Sequence, residues 1–403
     1  MKNMKPISQI PPILDLPSHI ISHIFSFLPT KSILSCKCVC KIWCSIIRNP
    51  DFNLPSDRIT LIVHRFGDDS RNNDLYLVEP EIDFVMREIY DDSFLRLCKQ
   101  SVINFNGIPV VKFEIVNSCN GLICLTSNDI NSTRKTKKKS ITSSNWGPFF
   151  VCNPVTSDHI IVKQTMPSLK IDEFCLEEHY GFGFCAQTRQ YKVLRFFSYK
   201  KRYIDDGPLL AEIYTVGFDK EWRRVENPPQ NYRWEKSGLF FEGALHWIIL
   251  NKNGFEMTIA TFKFHDEKFS LMSPPVVLSS NDFSRTPCLN LASLNSQLCF
   301  CVWAYDGHCD IWVMNEYGVC ESWKKLFVVS GPDFMPLKPL AYMKSGEILM
   351  LTVANQLVSY DVRSNKWTAI QFPGCVETVE AMLFDPVFAP MKGLVTPLES
   401  QLV

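Results

Sequence analysis

What the chain lacks narrows its function before any motif is read. It lacks net charge, because 42 Lys plus Arg are balanced by 42 Asp plus Glu. No overall field therefore draws it to nucleic acid or to an anionic membrane. It lacks an uninterrupted apolar stretch long enough to cross a bilayer, and its first residues, MKNMKPISQIPPILDLP, lack the apolar run of a secretory signal. The expectation is a soluble protein of the cytoplasm, the nucleus or both. Its 16 cysteines lack paired Cys-x-x-Cys spacing, even in the cluster Cys36, Cys38, Cys40 and Cys44, so reduced structural thiols are expected and not a zinc site. His19 and His23 lie one helical turn apart without the acidic residue of a zinc-protease helix. No metal or cofactor is expected.

Catalytic signatures are also missing. There is no nucleophile elbow, no phosphate loop and no Gly-x-Gly-x-x-Gly after a strand. Gly181-Phe182-Gly183 carries aromatics where a phosphate loop needs open backbone, and reads as close strand packing. His246, between Leu245 and Trp247, reads as a hydrogen-bonded strand residue and not as a general base. The chain is not expected to be an enzyme.

Helical periodicity is nearly as scarce. The exception is Leu16 to Phe52, where Ile20, Ile21, Ile24, Phe25 and Leu28 recur at helical spacing and Ser18, His19, Ser22, His23 and Ser26 fill the other side. Pro17 suits a first helical position, and Pro29 stops that helix. Ile33 and Leu34 open a second apolar stripe that Val39, Trp43, Ile46 and Ile47 continue until Pro50. A unit this short rarely stabilises itself. Its surplus apolar surface faces either another protein, bound as helices in a groove, or the chain's own downstream domain. Phe84 to Cys98 is the next helical candidate.

The ordered elements Leu16-Pro17, Leu28-Pro29-Thr30-Lys31-Ser32-Ile33, Val39-Cys40-Lys41-Ile42-Trp43 and Pro50-Asp51-Phe52 resemble the F-box. Ile33 stands where that family has Leu, a volume-conserving change. The resemblance implies docking on a Skp-family adaptor and, through it, on the cullin and RING subunits of a ubiquitin ligase. The adaptor contacts it implies are Leu16, Pro17, Ile20, Ile24, Leu28, Pro29, Leu34, Val39 and Trp43. Trp43 also suits a role in holding the helices together.

After Pro55 the texture changes to short runs rich in β-branched and aromatic residues. They include Ile59 to Val63, Leu75 to Val78, Gly121 to Leu125, Ile213 to Phe218, Leu298 to Trp303 and Ile348 to Val353. Many short strands without helical crossovers imply an antiparallel sandwich, barrel or propeller. A repeat favours the propeller. Phe218-Asp219 to Trp222, Phe264 to Phe269 and Tyr360-Asp361 to Trp367 share an aromatic, a polar turn and a second aromatic, with a looser copy from Met314 to Trp323. Their acidic markers Asp219, Asp266, Glu316 and Asp361 are separated by 47, 50 and 45 residues, close to the kelch blade length of about 50. Each copy is expected to be two outer strands joined by a polar turn, its aromatic packed between blades.

Ser118 to Cys124, Asn153-Pro154-Val155-Thr156, Tyr180 to Phe184, Gly243 to Trp247, Ile311 to Met314, Glu316 to Val319 and Ser322-Trp323 resemble the F-box-associated domain of plant F-box proteins. Cys185-Ala186-Gln187-Thr188 departs from the Asp-Pro-x-Thr usual there. The resemblance implies a mainly β chain: a small N-terminal helical F-box followed by a kelch-like β-propeller that binds the protein to be ubiquitinated. The expected layout is a tail at 1–10, the F-box at 11–53, the propeller at 54–390 and a tail at 391–403. The expected function is that of a substrate-recognition subunit. A non-degradative scaffold and a kelch-type enzyme or glycan-binding propeller stay open beside it. The basic run Arg134-Lys135-Thr136-Lys137-Lys138-Lys139 reads as a solvated loop; an import signal or an acidic contact is its alternative.

Overall fold

The computed structural model describes residues 16–55, 57–66, 73–79, 95–98, 104–105, 108–109, 113–126, 147–164, 173–201, 207–235, 238–252, 256–276, 288–303, 308–330, 337–352, 356–370 and 379–392. The run Arg134 to Lys139 lies outside them. Three short helices open the described chain: α1 (Ser18–Ser26), α2 (Thr30–Cys36) and α3 (Lys41–Arg48). No helix among the described residues is long and apolar enough to cross a membrane.

Strands β1 (Leu61–Phe66), β2 (Asn73–Val78) and β3 (Leu95–Cys98) form three quarters of the first blade, and a short hairpin of β4 (Asn104–Phe105) and β5 (Ile108–Pro109) follows. The second blade is β6 (Glu114–Cys119), β7 (Leu122–Thr126), β8 (Phe149–Asn153) and β9 (Asp158–Val162). The third is β10 (Glu173–Cys185), β11 (Gln190–Lys201), β12 (Leu210–Thr215) and β13 (Arg223–Val225). In the fourth, β14 (Tyr232–Trp234) and β15 (Leu239–Phe241) share the inner edge of β16 (Ala244–Asn251), with β17 (Met257–Lys263) and β18 (Lys268–Met272) outside. The fifth is β19 (Cys288–Leu294), β20 (Gln297–Trp303), β21 (His308–Met314) and β22 (Trp323–Ser330). The sixth is β23 (Leu337–Tyr342), β24 (Ile348–Thr352), β25 (Leu357–Asp361) and β26 (Lys366–Ala369). Finally β27 (Val379–Leu383) returns to β1, pairing Leu383 with Leu61 and Val379 with Arg65, and completes blade one. The result is a β-propeller, as the aromatic repeat favoured, and it has six blades, a number the sequence alone leaves open.

The core lies in the seams between blades. Each of the six seams holds its own apolar cluster. Strands in the middle of a blade therefore bury both faces, one in each seam, and lose the polar alternation of a half-buried strand. In β7, Ile123 and Leu125 enter the seam toward blade one while Leu122 and Cys124 enter the seam toward blade three. Glycine is required where the inner strand β10 meets blade four. A Cβ on Gly181 would lie 2.3 Å from Leu245, and one on Gly183 would lie 2.1 Å from Phe264. Between them Phe182 is fully buried against blade two. The close-packing reading of this motif holds.

Two sequence expectations need correction. The helical candidate Phe84 to Cys98 ends in a strand, because Leu95–Cys98 is β3; its earlier part lies outside the described residues. The strand run Ile213 to Phe218 stops at Thr215, since the Asp219 carboxylate accepts the Thr215 amide at 2.7 Å and folds Val216 to Phe218 into a turn.

Candidate partner-docking surface

The helical unit has two apolar faces, and they have different fates. Pro17 precedes α1 at its cap, one residue earlier than expected, with φ −53° and ψ 143°. Pro29 does more than stop α1. It adopts nearly the same angles, φ −54° and ψ 146°, and so starts α2. A proline is tolerated at both places because a helix leaves its first amides without internal acceptors. Cys40 caps α3, its Sγ accepting from the Trp43 amide at 3.5 Å. The described cysteines are free thiols.

The inward face carries Ile21, Phe25, Ile33, Ile47 and Phe52. All are buried in one cluster with Ile62, Leu75 and Leu77 of blade one and Ile123, Leu125 and Phe150 of blade two. Leu16, Leu28, Leu34 and Trp43 are partly buried against the same cluster, and the Trp43 ring meets Phe25 edge-on at 5.0 Å. These four expected adaptor contacts thus pack into the joint with the propeller.

A polar lock sits beside that joint. The Glu79 carboxylate, just past β2, accepts the Thr30 amide at 3.1 Å and so caps α2 from outside the helix. Arg58 pairs with Glu79 and donates to the Leu28 carbonyl at 2.7 Å, near the end of α1. The two side chains are 9% and 5% exposed, and the buried guanidinium is compensated by the Glu79 carboxylate.

The outward face carries Pro17, Ile20, Ile24 and Val39 from the expected set, together with Phe27 and Ile42. Pro29 is half-buried between the two faces. Phe27 is 64% exposed, Val39 63% and Ile42 55%. Sequence reading missed Phe27 and Ile42, although 20, 24 and 27 follow the spacing that places residues on one helix face. The basic residues Lys31, Lys41 and Arg48 are exposed on α2 and α3, and residues 16–50 contain no Asp or Glu. This surface suits an apolar groove with an acidic rim. The helical unit thus covers the downstream domain with one face, as one of the two sequence readings had it, and leaves the apolar residues of the other exposed.

No comparable site is assembled for catalysis at the residues singled out earlier. His246 accepts from the Tyr317 hydroxyl at 2.9 Å and donates toward the Leu239 carbonyl at 3.3 Å, and burial pushes its pKa down to about 4. It is a satisfied strand residue between blades four and five. His19 and His23 are exposed, and the His23 ring meets Phe27 edge-on at 4.9 Å.

Two family descriptions match: "F-box domain" over residues 13–55 and "F-box associated beta propeller domain" over residues 71–382. Similar proteins include the Arabidopsis thaliana F-box protein At3g07870, 24% identical over 89% of this chain and 88% of that protein. The F-box/kelch-repeat protein At3g23880 from the same plant is 24% identical, with 88% and 89% covered. F-box protein CPR1, also from that plant, is 23% identical, with 91% and 87% covered. Among solved structures, Trypanosoma rangeli sialidase in complex with sialic acid aligns with a TM-score of 0.39 and 9% identity over 82% of this chain and 53% of that one. With an F-box seated on a six-bladed propeller and both domains matched in order, the chain belongs to the F-box proteins that carry an F-box associated β-propeller domain.

Proposed function

We propose that this protein is the substrate-recognition subunit of an SCF-type cullin–RING ubiquitin ligase. Its helices dock on a Skp-family adaptor, and its propeller holds a target protein. The chain carries no chemical step of its own; it acts by tethering, which raises the effective concentration of target lysines at the ligase's thioester. The observation that carries this reading is the open apolar face of Ile20, Ile24, Phe27, Val39 and Ile42 on a unit whose opposite face is already buried. The target is a protein whose identity lies in the propeller's loops, which vary independently of the scaffold. The assembly would work in the cytoplasm, the nucleus or both.

The test is co-expression with a Skp-family adaptor, read by pull-down and gel filtration. The wild type is expected to form a stable complex. Phe27→Ala/Val39→Ala is expected to weaken it by roughly tenfold or more, as for truncated interface anchors, with the thermal midpoint of the free protein unchanged. A folded wild type that forms no complex, or a double variant that binds normally, would sink the proposal.

A further inference from the structure

We propose that Phe384–Met391, the segment after the ring-closing strand, is a clasp that sets the angle between the F-box and the propeller. The Arg58–Glu79 lock ties the helices to blade one alone. This segment reaches three bodies at once. Its first amide, on Phe384, donates to the Thr60 carbonyl ahead of β1 at 2.9 Å. Blade two then grips it from the strand ends that flank its 154–157 turn. The Asn153 amide donates to the Val387 carbonyl at 2.8 Å and to that of Ala389 at 3.5 Å, and the Asp158 carboxylate accepts the Met391 amide at 3.0 Å. Just before the segment, the Ser118 hydroxyl donates to the Leu383 carbonyl at the end of β27 at 2.7 Å.

The turn between β6 and β7 is shaped for this passage. Gly121 has φ +77°, and a Cβ there would lie 2.3 Å from the Val387 side chain. The third body is the F-box. The Phe388 ring is 1% exposed and meets Phe52 edge-on at 5.5 Å, inside the cluster that also holds Ile21, Phe25, Ile33 and Ile47. The F-box therefore rests on a segment that is held by blade two. Releasing the segment would leave the helices with the polar lock to blade one and the apolar cluster they share with blades one and two, a looser seat that lets the joint move. On the receptor reading above, the clasp fixes how far a bound target stands from the adaptor.

Asn153→Asp separates the clasp from its own turn. The remaining carboxylate oxygens can still accept from Val155 and Thr156 as the Asn153 carbonyl does, at 2.9 and 3.3 Å, but they face the Val387 and Ala389 carbonyls with no proton to donate. Phe388→Leu is the second variant, retaining burial while removing the ring contact to Phe52. Hydrogen exchange on the full chain, free and bound to a Skp-family adaptor, is expected to rise about tenfold in 384–391 and in the joint at 49–60, with adaptor affinity within about twofold of wild type. Small-angle scattering of the adaptor complex is expected to show a broader distance distribution. Faster exchange in 384–391 with an unchanged joint and unchanged scattering, in both variants, would overturn the clasp. So would an adaptor affinity lowered tenfold, which would make the segment part of the F-box itself. Failure of the wild type to bind adaptor sinks the receptor reading, while exchange in the free chain still decides the clasp.

Discussion

Two side-chain pairs fix much of what this molecule can tolerate. Removing the Glu79 carboxylate strands the Arg58 guanidinium in a site where it is 9% exposed and uncaps α2. Glu79→Ala should cost about 3 kcal/mol or more, the scale for a buried charge left alone, as measured by urea unfolding at neutral pH. A cost below about 1 kcal/mol would mean that water reaches the pair. His246 makes the opposite kind of demand. Its folded pKa is lowered by burial to about 4, against about 6.5 in an unfolded chain. The neutral ring is thus the folded form: its full contribution is present above pH 6.5, and it is lost as pH falls from there through 4. At pH 4 the loss relative to neutral pH is roughly 3 kcal/mol. His246→Gln should flatten that limb of the stability profile, so the difference between wild type and variant shrinks on acidification. A constant difference from pH 7 to pH 4 would contradict the assignment. Neither the lock nor the Tyr317 bond was legible in the sequence, since Arg58, Glu79, His246 and Tyr317 carry no local pattern and meet only across the fold.

At the scale of elements, the aromatic repeat was legible and its chemistry was not. Asp219, Asp266 and Glu316 fall in turns between the two outer strands of a blade, and Asp361 ends the strand that leads into the corresponding turn, as the spacing implied. The closing aromatic does more than pack. The indole N–H of Trp222 donates to the Lys163 carbonyl at 2.9 Å, that of Trp323 to Ser273 at 3.2 Å, and that of Trp367 to Ser330 at 2.9 Å, each reaching just past or onto the outermost strand of the preceding blade. Blade four has Phe269 at this place, which has no proton to give. There the link to blade three is ionic, with Lys192 at 2.7 Å and Arg223 at 3.0 Å from the Glu267 carboxylate. Trp367→Phe should retain the packing and lose only the hydrogen bond. Because the acceptor Ser330 is exposed, the cost should be about 1 kcal/mol or less, seen as a small fall in thermal midpoint. A loss of several kcal/mol would show that packing and not the bond is altered. The shortest strands, such as β13, β14 and β26, are three or four residues long and gave no strand run of their own in the sequence. They lie at the inner or outer edge of a blade, where one side meets water and the apolar signal thins.

For the whole molecule, the order of strands decides which end of the ring carries the F-box. Arg58 enters β1 and Glu79 leaves β2 at the same end, since Leu61 pairs with Val78. The turns 120–121 and 154–157 and the exit of β27 at Leu383 share that end. β7 ends and β8 begins at the other one, and the connection 226–231 leaves from there. A small helical unit followed by a propeller could be read from composition, motif order and spacing. The closure could not, because Val379–Leu383 is five ordinary strand residues whose partner lies more than three hundred residues earlier. Pairing over such a distance carries a large loop-closure cost that only the completed ring repays. The ring should therefore depend on β27 out of proportion to its length. A chain stopped after Thr378 loses the β27–β1 ladder and the buried Ala381, Phe384, Phe388 and Met391, opening two seams and the seat of the F-box together. It should unfold over a broad denaturant range, without the single transition of a closed ring. A chain stopped after Lys392 retains every described contact and should unfold like wild type. Equal unfolding curves for the two truncations would mean that the blades stand without closure, as in an open repeat array whose units are stabilised by neighbours alone.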